Sequence, residues 1–488
     1  MISNHARLPL LVPLVVLGTF VGGILAFWLG EFHILIAITG LSVVCGLTWW
    51  RNEPPAVAFA LAHQWVYIAV GDIYSIYNPD FAKIRFVENT SQAVTVAVVG
   101  LVAIALGVCL IRVLTMRQTQ KQPRESYNHR RLFLVVICLY SYDWLDLLTG
   151  ATISFGAANI LNNLFIIRST FLLLLCYDVF QKGKNLKFGY IAILFVIIPT
   201  FTASGTKFKE IVFLVIVAAF WTWRPWVNSR KQIARSRRIL IGSASLALIL
   251  FIFGSFWEGG LKGSWRSLKK SEFELSEESR GTLSNLGRFG NQFMNETLDF
   301  RFEDGNIALI KRVDTINQFQ LVLNRVPQVI PHQNGDILNQ TFAHITKPRF
   351  LFPNKENLGS DSEFAEKYAG LTVASNTSVG IGYMAEFYVD FGIIGVVLGS
   401  FSLGLVIGGS WWVIQKFAPT HMFGTVFYLV GIMTYFNTFE SNFTKLFGGF
   451  IVFCLLTIIL FLIDGGRLKT WLCGGQRIKR SKRVRLTQ

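Results

Sequence analysis

Glu386 and Asp390 stand where a long polar segment gives way to an apolar run beginning at Phe391. A carboxylate at such a boundary loses part of its hydration, which suits it to general-base work; held by water or an Arg, it would be only an interfacial anchor. Cations that could face an anion are also present. The stretch Thr202-Ala-Ser-Gly-Thr-Lys-Phe-Lys-Glu210 joins two apolar runs and sets Lys207 among Gly and small hydroxyl residues. Backbone N–H groups can approach an anion closely in such a loop, although an interfacial Lys on a lipid phosphate gives the same pattern. The polar segment adds Arg280, Arg288, Arg325, His332, His344, Lys347, Arg349 and Lys355. Most exposed Arg and Lys are only solvated, so these count as a set.

Arg168 lies deep in an apolar run, where an unpaired guanidinium is costly. It either binds substrate or pairs with Asp143 or Asp146, three residues apart on the preceding run. Asp178 reads as structural. Several chemistries are excluded. The chain has no HExxH, GxSxG, Walker A or GxGxxG motif, which removes zinc hydrolysis, serine catalysis and ATP-driven work. No metal site is legible. Of six cysteines, Cys45, Cys109, Cys138, Cys176 and Cys454 fall in apolar runs and Cys473 in the basic tail, so the polar segment has no disulfide framework.

The elements that must position these residues are membrane helices. The 488 residues are 52% hydrophobic and 14% aromatic. Apolar runs recur, many as long as the 17–25 residues that cross a bilayer. Twelve are predicted: Leu8–Leu29, Phe32–Trp50, Ala56–Val70, Ala93–Leu114, Leu132–Leu148, Ile160–Phe180, Phe188–Phe201, Ile211–Trp226, Ile239–Trp257, Phe391–Ile414, Met422–Asn437 and Leu446–Ile463. The expected fold is all-α and polytopic, with four parts. Residues 1–257 form a bundle of about nine spans, 258–386 a helical lobe, 387–466 the last spans and 467–488 a basic tail.

The net charge of +17 does not call for nucleic acid. The polar segment holds 14 basic and 16 acidic residues, net −2, so the remainder is +19. That excess gathers in alternate short connections and at the termini, as the positive-inside rule requires of cytoplasmic loops. Both termini are therefore expected in the cytoplasm and the lobe outside it. Within the lobe, Ile307–Val326 reads as a helix stopped by Pro327, and Asp336–Ile345 as a second after the Asn334–Gly335 turn. Gly395/Gly399 and Gly404/Gly408 are small-xxx-small pairs expected to serve close packing within the molecule.

Two segments resemble a known family. Pro348-Arg-Phe-Leu-Phe-Pro-Asn-Lys355, and Gly382-Tyr-Met-Ala-Glu-Phe-Tyr-Val-Asp-Phe-Gly-Ile-Ile-Gly395 some thirty residues on, resemble the outer-loop and re-entry motifs of O-antigen and related oligosaccharide repeat-unit polymerases. Ser204-Gly-Thr-Lys207 is similar to the family's Ser-Gly-Ser-Arg turn, with Thr and Lys as departures. The resemblance implies a GT-C-like membrane glycosyltransferase architecture in a bacterial inner membrane. It implies polyprenyl-diphosphate-linked oligosaccharides as substrate, inverting metal-independent transfer, no cofactor, and chain-length regulator and flippase proteins as partners beside membrane lipid. Lys207, Arg349 and Lys355 would face the diphosphate, with Arg280, Arg288 and Arg168 behind them. Glu386 would take the acceptor proton, with His332 or His344 as alternates. A transporter or flippase of a lipid-linked solute, or an O-antigen ligase, is the competing expectation.

Overall fold

The structure is a computed structural model. It describes residues 11–50, 54–115, 127–149, 158–204, 208–222, 302–347, 360–372 and 379–473, with a few isolated positions besides. Helices and their connections make up these residues, and no strand occurs among them. The first group is α1 (Leu11–Leu29), α2 (Phe32–Thr48), α3 (Ala56–Tyr77), the short α4 (Pro79–Lys83), α5 (Ser91–Thr115), α6 (His129–Thr149), α7 (Ala158–Lys182), α8 (Leu186–Ser204) and α9 (Phe208–Thr222). The lobe gives α10 (Phe302–Val313), α11 (Ile316–Arg325), α12 (Asp336–Thr346) and α13 (Asp361–Phe364), the last continued by a π-helical turn over Ala365–Ala369. Then follow α14 (Tyr383–Phe417), α15 (His421–Tyr435), a π-helical turn at Thr444–Gly448, α16 (Gly449–Asp464) and α17 (Arg467–Leu472).

Eleven of the twelve predicted apolar runs coincide with helices; the ninth, 239–257, lies outside the described residues except at isolated positions. Five helical segments are long and apolar enough to cross a membrane: Val12–Leu29, Ala56–Tyr77, Ser91–Thr115, Tyr383–Phe417 and Thr444–Asp464. Their outward faces are apolar, as at Phe27, Ile394 and Ile463, which suits contact with lipid tails. α6 and α7 are tied by an ion pair between them. Arg168 Nη1 donates to Asp143 at 2.8 Å while its guanidinium lies over the Tyr140 ring at 4.3 Å. The helix-locking alternative for Arg168 is the contact the structure makes.

Backbones approach closely along α5 and α14. A Cβ on Gly404 would sit 2.2 Å from the Ile104 carbonyl oxygen, and one on Gly107 2.4 Å from that of Phe401. The glycines thus seat one helix in the groove of the other, as the small-residue spacing predicts. Gly409, one position past Gly408, has nothing within 4 Å. Gly404→Val is therefore expected to lower the melting temperature of the detergent-solubilised protein, an overpacking cost of at least about 1–3 kcal/mol, whereas Gly409→Val should not. Equal melting of the two variants would contradict this packing.

The lobe departs from expectation in one place. The single helix predicted over Ile307–Val326 is broken at Asp314–Thr315 into α10 and α11. At the break the Asp314 carboxylate pairs with Arg85 at 2.8 Å. α12 matches its predicted boundaries to within a residue. The lobe is firmly docked. Gln320 of α11 accepts the Ala93 N–H at 3.0 Å, satisfying a donor in the first turn of α5 that its own helix leaves open. Tyr388 donates to the Val326 carbonyl at 3.2 Å.

Candidate functional site

The site is organised by the turn over residues 436–443, between α15 and the π-helical turn before α16. Its aromatic residues Phe436, Phe439 and Phe443 are buried and hold it down. α3 braces it from the membrane side. Gln64 donates to the Phe436 carbonyl at 2.9 Å, His63 bonds the Asn437 carbonyl, and Tyr383 donates to Gln64 Oε1 at 2.8 Å. Residues 379–382 lie against the turn so closely that a Cβ on Gly380 would fall 2.3 Å from the Glu440 carbonyl oxygen.

Glu386 points into this construction. Both of its carboxylate oxygens accept the Phe443 N–H, at 3.2 and 3.3 Å, and the residue is 4% exposed. The turn also carries Asn442, which donates to Asp361 Oδ1 at 2.6 Å, while Lys445 pairs with Asp361 Oδ2. Asp390 has a separate duty: it accepts the Ile337 and Leu338 N–H groups at 3.2 and 2.9 Å, so its charge caps α12. Between Asp390 and the rest of α14 the helix breaks. Phe391 leaves the helical region and Gly392 adopts φ 66°, ψ −152°, a conformation open essentially to glycine alone. Gly395 and Gly399 then admit Phe387 against the following helix. This break keeps Glu386 and Asp390 with the lobe, on a short buried helix, instead of continuing the span.

Beside the turn lies a cavity of about 300 Å³ lined by Lys311, Arg312, Thr315, Gln318 and Glu440, with Ala308, Val379 and Gly380 completing the wall. Arg312 holds Glu440 through two bonds, 3.0 and 2.9 Å, from separate guanidinium nitrogens. Thr315 Oγ1 and Gln318 Oε1 are buried and have no hydrogen-bond partner among the described residues. Buried polar atoms are nearly always partnered, so these two are exceptions, and they lie beneath the cavity surface and not on it.

Below the cavity is a buried ion network. The Arg85 side chain, 1% exposed, donates to Asp314 from Nε at 2.8 Å and from Nη2 at 3.2 Å. It also donates to Ser75 and Thr90, each at 3.0 Å, and lies 3.7 Å from Asp72. Asp72 in turn bonds Thr90 and the His33 ring, the latter at 2.6 Å. Only glycine at 71 leaves room for Asp314, since a Cβ there would be 2.3 Å from its carboxyl carbon. Burial pushes the Asp314 carboxyl up from its ordinary value, against the pull of Arg85.

Among the other predicted site residues, His332 is half-buried against the Tyr388 ring, with Nδ1 3.3 Å from the Val389 carbonyl and its ring beside Gly392. His344 lies half-buried on the last turn of α12. Neither lines the cavity. Lys207, Arg280, Arg288, Arg349 and Lys355 lie outside the described residues. Sequence reading passed over Arg85, Asp314, Thr315, Gln318 and Glu440. Adjacent Lys311 and Arg312, with one acid in the connection before the last span, were the available signal.

No curated protein and no solved structure matches the chain. The model of a family described as a domain of unknown function, DUF8712, matches residues 61–464, a range that takes in the lobe and most of the apolar helices, and the chain belongs to that family.

Proposed function

We propose that the chain joins polyprenyl-diphosphate-linked oligosaccharide repeat units at the outer face of a membrane, as the polymerases it resembles do. The observation that supports this best is the cavity at the lobe–membrane junction. It presents two cations, Lys311 and Arg312, and its volume is at the low end of the roughly 300–1,000 Å³ of small-molecule sites. It is built on the turn that also receives Glu386, the carboxylate of the Gly382–Gly395 motif. Glycosyl transfer from a diphosphate needs cations at the leaving group and a base at the acceptor hydroxyl. Lys311 and Arg312 join Lys207, Arg349 and Lys355 as candidates for the first task, and Glu386 serves the second. In this proposal the architecture is GT-C-like, twelve spans place both termini in the cytoplasm of a bacterium, and the lobe faces outward.

The test is to give the purified chain lipid-linked repeat units and resolve the products by length. A ladder is expected. Translocation of intact units without lengthening would favour a flippase instead. Lys311→Ala and Arg312→Ala should each lower turnover by about 10²–10³-fold, the scale for loss of one transition-state donor. Arg312 is 42% and Glu440 26% exposed, so their pair is worth at most about 1 kcal/mol and melting should hardly move. Full turnover in both variants would remove the cavity from the reaction.

A further inference from the structure

A second cavity, of about 690 Å³, lies at the far end of the helices from the lobe. Its seven lining residues are Tyr127, Asn128, His129, Arg130, Lys182, Lys184 and Asn185, none of them acidic. Its position follows from the chain path. The continuous helical run Thr444–Asp464, 21 residues, starts beside the lobe at the Lys445–Asp361 pair and ends at Asp464. α17 follows at once, and its Leu472 carbonyl accepts the Asn128 N–H at 2.9 Å. A helix of this length advances about 1.5 Å per residue, so the cavity is a membrane thickness from the lobe.

Asp178 compensates only part of the charge of this cavity among the described residues. Buried Asp178 is used by the wall itself, accepting from Lys182 and bonding the His129 ring, both at 2.6 Å. Asn185 completes that chain, donating to His129 Nδ1 at 3.1 Å. Arg130 and Lys184 have no carboxylate partner among the described residues and stand on opposite walls, at the start of α6 and in the turn between α7 and α8. That turn is fixed by left-handed backbone at Gly183 and Asn185. The rim has the character of a membrane interface. Arg131 lies over the Trp471 ring at 5.4 Å and bonds its carbonyl, and Trp471 and Tyr190 are both well exposed.

We infer that this cavity binds a phosphate-bearing anion at the membrane surface, the headgroup of an anionic phospholipid, with Arg130 and Lys184 as its charge partners and Asn128 and Asn185 as donors. The inference does not depend on the outer-face reaction. Both cations are exposed, so their replacement should spare folding.

The experiment is native mass spectrometry of the full chain released from nanodiscs containing equal phosphatidylglycerol and phosphatidylcholine. Alongside it, inorganic phosphate is titrated into the detergent-solubilised protein with melting as readout. Retention of phosphatidylglycerol over phosphatidylcholine is expected. The pair Arg130→Gln/Lys184→Gln should reduce it roughly 30-fold, about fivefold for each cation at a membrane surface. Lys469→Gln, on α17 outside the cavity, should not. Stabilisation by phosphate, lost in the paired variant, without lipid retention would keep the anion site and assign it to a soluble phosphate. Equal retention of both lipids with no phosphate effect, or retention unchanged by the paired variant, would overturn the inference.

Discussion

Arg85→Met is expected to destabilise the protein by about 3–5 kcal/mol, the cost of removing one partner from a buried ion network. The guanidinium is 1% exposed and sits between Asp314 and Asp72, whose side chains are 3% and 7% exposed. Without it two carboxylates face each other in a dry setting with, among the described residues, Asn317, Thr90 and His33 as partners. Asp314→Asn should cost less, because Arg85 keeps Asp72, Ser75 and Thr90. Adding Asp314→Asn to Arg85→Met should recover part of the loss. Thermal unfolding of the three variants in one detergent measures this; a fully additive double variant would show that the groups are not coupled.

The pH dependence gives a second readout. Asp314 has its carboxyl raised by burial in the folded state. Between the ordinary carboxylate value and that raised value, the folded state keeps a proton that the unfolded state has lost. Stability from this group is therefore greatest below the ordinary value and falls as pH rises through the window. Removing Arg85 raises the folded value further and widens the window. The stability gap between wild type and Arg85→Met should then narrow on acidification, and groups that titrate alike in both proteins cancel from that difference.

The helices were legible because hydropathy reports them directly: a run such as Ala93–Leu114 can only be a buried or lipid-facing helix, and it is one. The Gly404/Gly408 spacing was legible for the same local reason. The break at Asp314 was not, because the partner that Asp314 meets there is Arg85, 229 positions away. Periodicity over 307–326 continues through the break and gives no sign of it. Nothing local marks Arg85, since burial of a charge depends on what another segment brings to it. The same holds for Thr315 and Gln318, ordinary helix residues until residues 379–382 and Glu440 close over them. Glu386 was singled out for standing at a polar–apolar boundary, and its setting on a short helix beyond the Gly392 break was hidden by the continuous apolar pattern on either side.

Glu386→Gln is the variant with the largest expected effect on turnover. Gln keeps the volume of the side chain and one carbonyl oxygen to accept the Phe443 N–H, so the contact that seats the turn over 436–443 survives. It loses the capacity to accept a proton. If Glu386 deprotonates the acceptor hydroxyl, turnover should fall by about 10²–10⁴-fold while melting stays near that of wild type. Glu386→Leu removes the acceptor as well and leaves the Phe443 amide buried and unpaired, a penalty of about 1–3 kcal/mol that should appear as a lower melting temperature. Asp390→Asn is the control for charge on the same short helix. It weakens the cap on α12, so it should lower stability with little effect on product length. Glu386 is 4% exposed and faces an amide, so an acceptor hydroxyl can reach it only if the turn over 436–443 gives way. Ladder formation and melting, measured on the same preparations, separate the two roles. Full activity in Glu386→Gln together with a large loss of stability in Glu386→Leu would make the carboxylate an anchor for the turn and remove it from the chemistry.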